Sequence, residues 1–201
     1  MRVITAPNTL IDIDQPTIFL AGAITNCAPW QDVVIEMMEP FTNGILLNPR
    51  RQNFPINDPA AAKEQIAWEF HALNNCDIFS IWFTAGESVQ PICLYELGRH
   101  LALRGDTKPE TVVVGIEPGY RRYYDVFMQT NLVNETIADR TSISLKQHVK
   151  AILAAIPLVE RLYASPKGEN ECLNMSMTMM KAPPGSRPGR GGCAQSRKGQ
   201  S

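Results

Sequence analysis

A chain of 201 residues with 44% hydrophobic content is long enough to bury one real core, and its formal net charge of −1 excludes the strongly basic footprint of a general nucleic-acid binder. That charge is unevenly divided: residues 164–201 hold six Lys or Arg against Glu169 and Glu171, which leaves −5 on residues 1–163. No run of ~20 apolar residues is present to span a membrane; the first residues carry acids where a signal peptide needs an apolar core, and five cysteines in no close pair argue against a disulfide framework, so a cytoplasmic protein is expected.

In chain order, residues 18–24 (IFLAGAI) read as a first strand ending in a small-residue turn over 22–26. Pro29 then starts a helix through Val33, Val34, Met37 and Met38, which Pro40 and Gly44 close. Residues 45–47 make a brief second strand, left by Asn48, Pro49, Arg50 and Arg51. Asp58 and Pro59 form an N-cap followed by a first helical residue, for a helix running to about residue 74. Residues 78–83 are a short apolar run, which suits a strand buried on both faces of a parallel sheet. Pro91 opens the next helix, with Leu94, Leu97 and Leu101 at helical spacing toward the sheet. Residues 111–116 give a fourth strand, 123–132 a helix, 136–138 a short fifth strand and 142–163 a closing helix.

Strands alternating with helices imply an α/β fold, a doubly wound parallel five-stranded sheet of flavodoxin-like (Rossmann-like) type, with strand order 2-1-3-4-5. The domain is expected over residues 1–163. The remainder, 164–201, holds six of the thirteen glycines and four of the eight methionines, a composition expected to stay disordered.

The strand–loop–helix over residues 77–104 organises the chain, because it carries one acid, Glu96, off the apolar stripe and near the helix N-terminus. In the predicted strand order the switch point falls between the first and third strands, so residues 22–26 face Glu96 across the crevice where such folds bind ligands. The plain alternative is a surface ion pair of Glu96 with Arg99 or His100, three and four residues on. Gly98, inside the same helix, is expected to mark a close backbone approach.

Several chemistries are excluded by what is missing. AGAITN has a single glycine, so neither a dinucleotide fingerprint nor a P-loop is present, and His71, His100 and His148 lack the spacing and neighbours of a zinc site. There is no Gly-x-Ser-x-Gly elbow. No cofactor and no metal are expected.

What remains is IFLAGAI followed by a helix with Trp30, then NPRR, then QIAWEFHALNNCDIFSIWF, then QPICLYELG. In order and spacing these segments resemble the nucleoside 2-deoxyribosyltransferase family, in its divergent transferase-like branch. The resemblance runs over about residues 17–129. It implies that Glu96, the glutamate of ELG, is the nucleophile that cleaves an N-glycosidic bond, and that Glu69 on the preceding helix contacts sugar or base. It also implies a homo-oligomer whose neighbouring chain helps close the pocket, with the Met-containing first helix as contact surface. The family's aspartate six residues before the nucleophile is Gln90 in this chain, and its first-strand tyrosine is Phe19.

These residue types suit the reaction. Breaking a nucleoside C1′–N bond develops positive charge at C1′, which one carboxylate stabilises and traps as an ester while a second acid assists the departing base. The expected substrate-binding set is the Gly22–Ala23–Ile24 turn, Trp30, Asn48, Arg50, Gln90 and Asp77. Each has a plain alternative: Trp30 as core, Arg50 as a solvated surface cation, Gln90 as a helix cap, Asp77 as a turn former, Glu69 as an exposed acid on an amphipathic helix. Two readings follow. One is an enzyme that transfers the (deoxy)ribosyl group of a nucleoside or nucleotide to another base or to water; the other is a catalytically silent nucleotide-binding or sensing module. In both the partner is a small molecule rather than a nucleic-acid strand or a membrane.

Overall fold

The structure, a computed structural model, describes residues 1–10 and 13–164, with side chains to residue 160. The tail expected over 164–201 therefore lies, from residue 165 onward, outside the described residues.

Five parallel strands form the sheet: β1 (Arg2–Thr5), β2 (Thr17–Gly22), β3 (Ile45–Asn48), β4 (Ile78–Phe83) and β5 (Val112–Ile116), in the order β1-β3-β2-β4-β5. The helices are α1 (Trp30–Met38), α2 (Pro59–Asn75), α3 (Pro91–Arg104), α4 (Tyr123–Val133), α5 (Glu135–Asp139) and α6 (Leu145–Ala164). The doubly wound α/β architecture is as expected, and four strands take their expected places. The fifth differs. Residues 136–138 are helical, within α5, and the fifth strand is the N-terminal Arg2–Thr5, which pairs with Ile45–Asn48 at the opposite edge. Thr136 and Ile137 are β-formers by type, but the Asn134 side chain accepts from the Ile137 N–H and caps a helix there. At the β5 edge a single bridge between Gly115 and Ser142 is all that extends the sheet among the described residues.

Alternation along the strands divides the core in two. Phe19, Ala21, Phe79, Ile81 and Phe83 pack toward α2, α3 and α4, whereas Ile18, Leu20, Ile78 and Trp82 pack toward α1 and α6. Both faces of β4 are thus buried, as its uninterrupted apolar run requires. Truncating Phe79 or Phe83 to alanine is expected to cost about 3–5 kcal/mol. Ser80 and Gly115 leave room on the second face for His148. Its Nε2 lies 2.8 Å from Ser80 Oγ, and a Cβ at Gly115 would stand 2.2 Å from the Trp82 ring and 2.7 Å from His148 Nδ1.

The N-terminal edge of the sheet is closed by polar groups. Asp77 Oδ2 accepts from the Thr17 N–H and Oγ1, each at 2.8 Å, and Arg104 donates to the Asp77 and Cys76 carbonyls. Asp77 therefore stands at the opposite end of the strands from the ligand crevice. The expected contact surface on α1 is largely spent inside the fold, since Val34 and Met38 are buried beneath α6. Large exposed apolar side chains on α2 and α3 include Ile66, Phe70, Ile92 and Tyr95; α1 still exposes Val33, and α4 exposes Tyr124 and Leu132.

Candidate active site

A cavity of about 340 Å³ opens at the C-terminal ends of β2 and β3, against the first two turns of α3. One wall is the turn after β2, from Gly22 to Thr25; the facing wall is Gln90 through Cys93 and Glu96. This is the switch point of the sheet, because the chain leaves β2 for β3 on one side and returns to β4 on the other. Gly22, at φ 148°, makes the close approach possible: a Cβ there would sit 2.5 Å from the Trp82 carbonyl oxygen and 2.6 Å from the Trp30 ring.

Two carboxyls face the cavity, Glu96 from α3 and Glu69 from α2. Burial, and then the charge of Glu69, push the Glu96 carboxyl up to about 8 from an ordinary 4.5. Burial also raises Glu69, but a 2.8 Å hydrogen bond donated by Gln65 Nε2 to its Oε1 opposes the shift. Gln65 Nε2 also donates to the Pro49 carbonyl, so it ties Glu69 to the end of β3. Glu96 accepts no hydrogen bond among the described residues. The residue at the family's tyrosine position, Phe19, lines the cavity with an apolar ring packed on Trp68, and so offers Glu96 no donor.

The ion pairs weighed for Glu96 do not form. His100 is buried and stacked on Phe79, with ring centroids 4.0 Å apart. Burial, with Arg104 and Arg99 nearby, lowers its pKa to about 3, so it is neutral at pH 7. Arg99 lies over the Phe70 ring, 5.4 Å from its centroid. Gly98 marks no close approach either, since a Cβ there would meet open space.

The wall opposite Glu96 is held by one carbonyl. Ala23 O accepts from Cys27 Sγ, Trp30 Nε1, Gln31 Nε2 and Arg50 Nη2. Arg50 also donates through Nε to Gln31 Oε1 at 2.9 Å and through Nη2 to the Ala28 carbonyl. On the other wall Gln90 is left-handed at φ 50° and 5% exposed, and its Nε2 donates to the carbonyl and hydroxyl oxygens of Thr84 at 2.7 and 3.1 Å. Tyr120 donates to the Val89 carbonyl and steadies the same loop.

A family model described as nucleoside 2-deoxyribosyltransferase like matches residues 15–120. The chain belongs to this family. The matched stretch contains all the residues that line the cavity, from Phe19 to Glu96. The family suggests a nucleoside deoxyribosyltransferase-like activity, with a nucleoside as the small-molecule partner. A search of the curated proteins found no match to the chain.

Within the family fold, the expected site residues divide into those that reach the cavity and those that stand behind it. Glu96, Glu69, Gly22, Ala23, Ile24 and Gln90 line it. Trp30 and Arg50 brace the turn from behind. Asn48 is buried at the end of β3, where its Oδ1 accepts from the Arg50 N–H. Asp77 lies at the far edge and belongs to the closure with Thr17. Thr25 falls in the turn expected to face Glu96, while sequence reasoning missed Gln31, Cys27 and Thr84 as supports, and Ser88 and Cys93 as lining. Their only signal was nearness in sequence to the strand ends. A second, apolar groove of about 380 Å³ between α2 and α3 shares Glu69, Ile92 and Glu96 with the cavity.

Proposed function

We propose that the protein cleaves the N-glycosidic bond of an unphosphorylated nucleoside and transfers the (deoxy)ribosyl group to another base or to water, with Glu96 as nucleophile. The Glu96 carboxylate attacks C1′ as the C1′–N bond breaks, the electron pair goes to the base nitrogen, and Glu69 gives that nitrogen a proton. A second base or water then attacks C1′, the ester opens back to the Glu96 carboxylate, and Glu69 receives the attacker's proton. The backbone turn of Gly22, Ala23 and Ile24 forms the wall facing the sugar, with Trp30, Asn48 and Arg50 holding it in place. The observation that carries this reading is the pairing of two raised carboxyls in one cavity.

Phosphorylated substrates fit less well. The cavity lining has two carboxyls and no Lys, Arg or His among the described residues, and Arg50 is engaged with the turn. A 5′-phosphate would enter a field of its own sign. A panel of deoxynucleosides and their 5′-monophosphates, read by chromatography, tests this; release of base from the monophosphates alone would overturn it. We further propose that a second copy of the chain covers Ile66, Phe70, Ile92 and Tyr95 beside the cavity, which light scattering at micromolar concentration checks, a strict monomer being the contrary result.

The silent-module reading is favoured by one observation, the absence of any donor to orient Glu96 among the described residues. Incubation with a slow deoxynucleoside separates the two. A covalent sugar mass on Glu96 supports the enzyme, and binding with neither adduct nor product supports the module.

A further inference from the structure

We propose that Gln65 is a positioning residue for the departing base: by holding Glu69 Oε1 it keeps the Glu69 proton on Oε2, the oxygen left to give it to the base nitrogen. The inference rests on the proposed role of Glu69 as proton donor. Three observations carry it. Gln65 and Glu69 stand one turn apart on α2, and Gln65 Nε2 donates to Glu69 Oε1 at 2.8 Å. The same nitrogen donates to the Pro49 carbonyl at 2.7 Å, and Pro49 and Glu69 both line the cavity. Glu69 Oε2 accepts no hydrogen bond among the described residues and, unlike Gln65 Oε1, is not sealed from solvent.

The Pro49 carbonyl decides which way the amide faces. Toward a carboxyl alone, a glutamine can turn either end, because the carboxyl accepts when ionised and can donate when protonated. A carbonyl oxygen only accepts, so Nε2 faces Pro49 whichever state Glu69 is in. The amide keeps this orientation although its own Oε1 is buried without a partner among the described residues. An amide at liberty to turn would bring that oxygen to a donor, since buried acceptors are seldom left unpaired. Glu69 Oε1 therefore meets an N–H in both protonation states. The protonated acid keeps Oε1 as its carbonyl oxygen, the better acceptor, and carries the O–H at Oε2. Burial favours that protonated form and the Gln65 bond opposes it, so Gln65 adds direction rather than proton affinity. Glu96 and the Cys93 thiol, both on α3, are the titratable groups whose charge meets that of Glu69. Because Gln65 also ties α2 to the end of β3, it fixes the acid relative to the cavity wall.

A double-mutant cycle tests the proposal. Gln65→Met keeps the length of the side chain and removes both polar ends; it should lower kcat for deoxynucleoside cleavage about tenfold and leave KM nearly unchanged. In a Glu69→Gln background the same substitution should lower kcat by less than about twofold, because a group that acts only through the Glu69 proton has nothing left to place. Thermal unfolding of the four proteins establishes that folded states are compared. Should Gln65→Met fail to fold, Gln65→Asn, which keeps an amide but withdraws it by one methylene, enters the same cycle with the same expectation. Equal losses with and without Glu69, or an unchanged kcat in a folded Gln65→Met, overturn the proposal while leaving Glu96 as nucleophile. A Glu69→Gln enzyme at the wild-type rate also overturns it, since the proton would then come from elsewhere. Wild-type turnover in Glu96→Gln defeats the transfer reading alone, and the cycle still decides for or against Gln65. Wild type that turns over no nucleoside overturns both.

Discussion

Asp77 and Glu96 are both partly shielded acids at ends of secondary structure, one at each edge of the same sheet. Asp77 accepts two 2.8 Å hydrogen bonds from Thr17, and its backbone is held by Arg104. Glu96 has no hydrogen-bond donor among the described residues, faces a second carboxyl, and its proton is held up to about 8. An acid surrounded by donors joins two strands, whereas an acid denied donors is kept reactive at the cost of stability. The contrast can be broken or sharpened from either side.

The largest expected effect is on Glu96. Glu96→Gln is near isosteric, so the fold should survive while turnover falls by at least a thousandfold, about 4 kcal/mol of barrier. Its stability should move the other way. Glu96 binds its proton more tightly folded than unfolded, so its stabilising contribution is full below pH 4.5 and is lost as pH rises through about 8. The variant should therefore melt several degrees above wild type at pH 9 and about level with it at pH 4, as thermal unfolding at the two pH values would read. Wild-type turnover in Glu96→Gln would remove Glu96 as nucleophile.

Glu69→Gln should be milder, about ten- to a hundredfold in rate, since water can assist the departing base. It should also shift the pH profile down, because the Glu69 charge is one of the two causes that raise Glu96. At the other edge, Asp77→Ala should cost about 2 kcal/mol in denaturant unfolding and leave kcat close to wild type. A large fall in kcat at full stability would place Asp77 in the chemistry instead.

The pH dependence of wild type comes next. The route needs Glu96 ionised while Glu69 still holds the proton it gives to the base; since Glu96 keeps its proton up to about 8 and the Glu69 charge is already present when Glu96 ionises, kcat/KM should fall as pH rises above about 8. A rate that keeps rising through that range would remove Glu69 as the proton donor. The smallest effect should come from Arg50→Met, which frees Ala23 O from one of its four donors. A few-fold rise in KM with kcat nearly unchanged is expected of a brace, and steady-state kinetics would distinguish it from a substrate contact.

Much of the fold was legible before any coordinates. Four strands, the N-cap at Asp58 and the helix opening at Pro91 follow from short-range rules, because apolar runs, caps and proline positions act over a few residues. The same rules misread residues 136–138, where the Asn134 cap outweighs β-propensity, and passed over Arg2–Thr5, whose strand exists only because β3 offers an edge to pair with.

For the site, the sequence by itself determined the chemistry available: Glu96 one helical turn into α3, Glu69 on the helix before it, Gln90 at the helix start, and a turn with a single glycine facing them. Only the tertiary structure decided which polar groups are spent and which are left over. Hydrogen bonds between residues 60 or 19 positions apart, as in Thr17–Asp77 and Gln31–Arg50, have no local signature. Those long-range bonds engage Arg50 and Asp77 in holding the fold, and Glu96 is left at the cavity without a hydrogen-bond partner among the described residues.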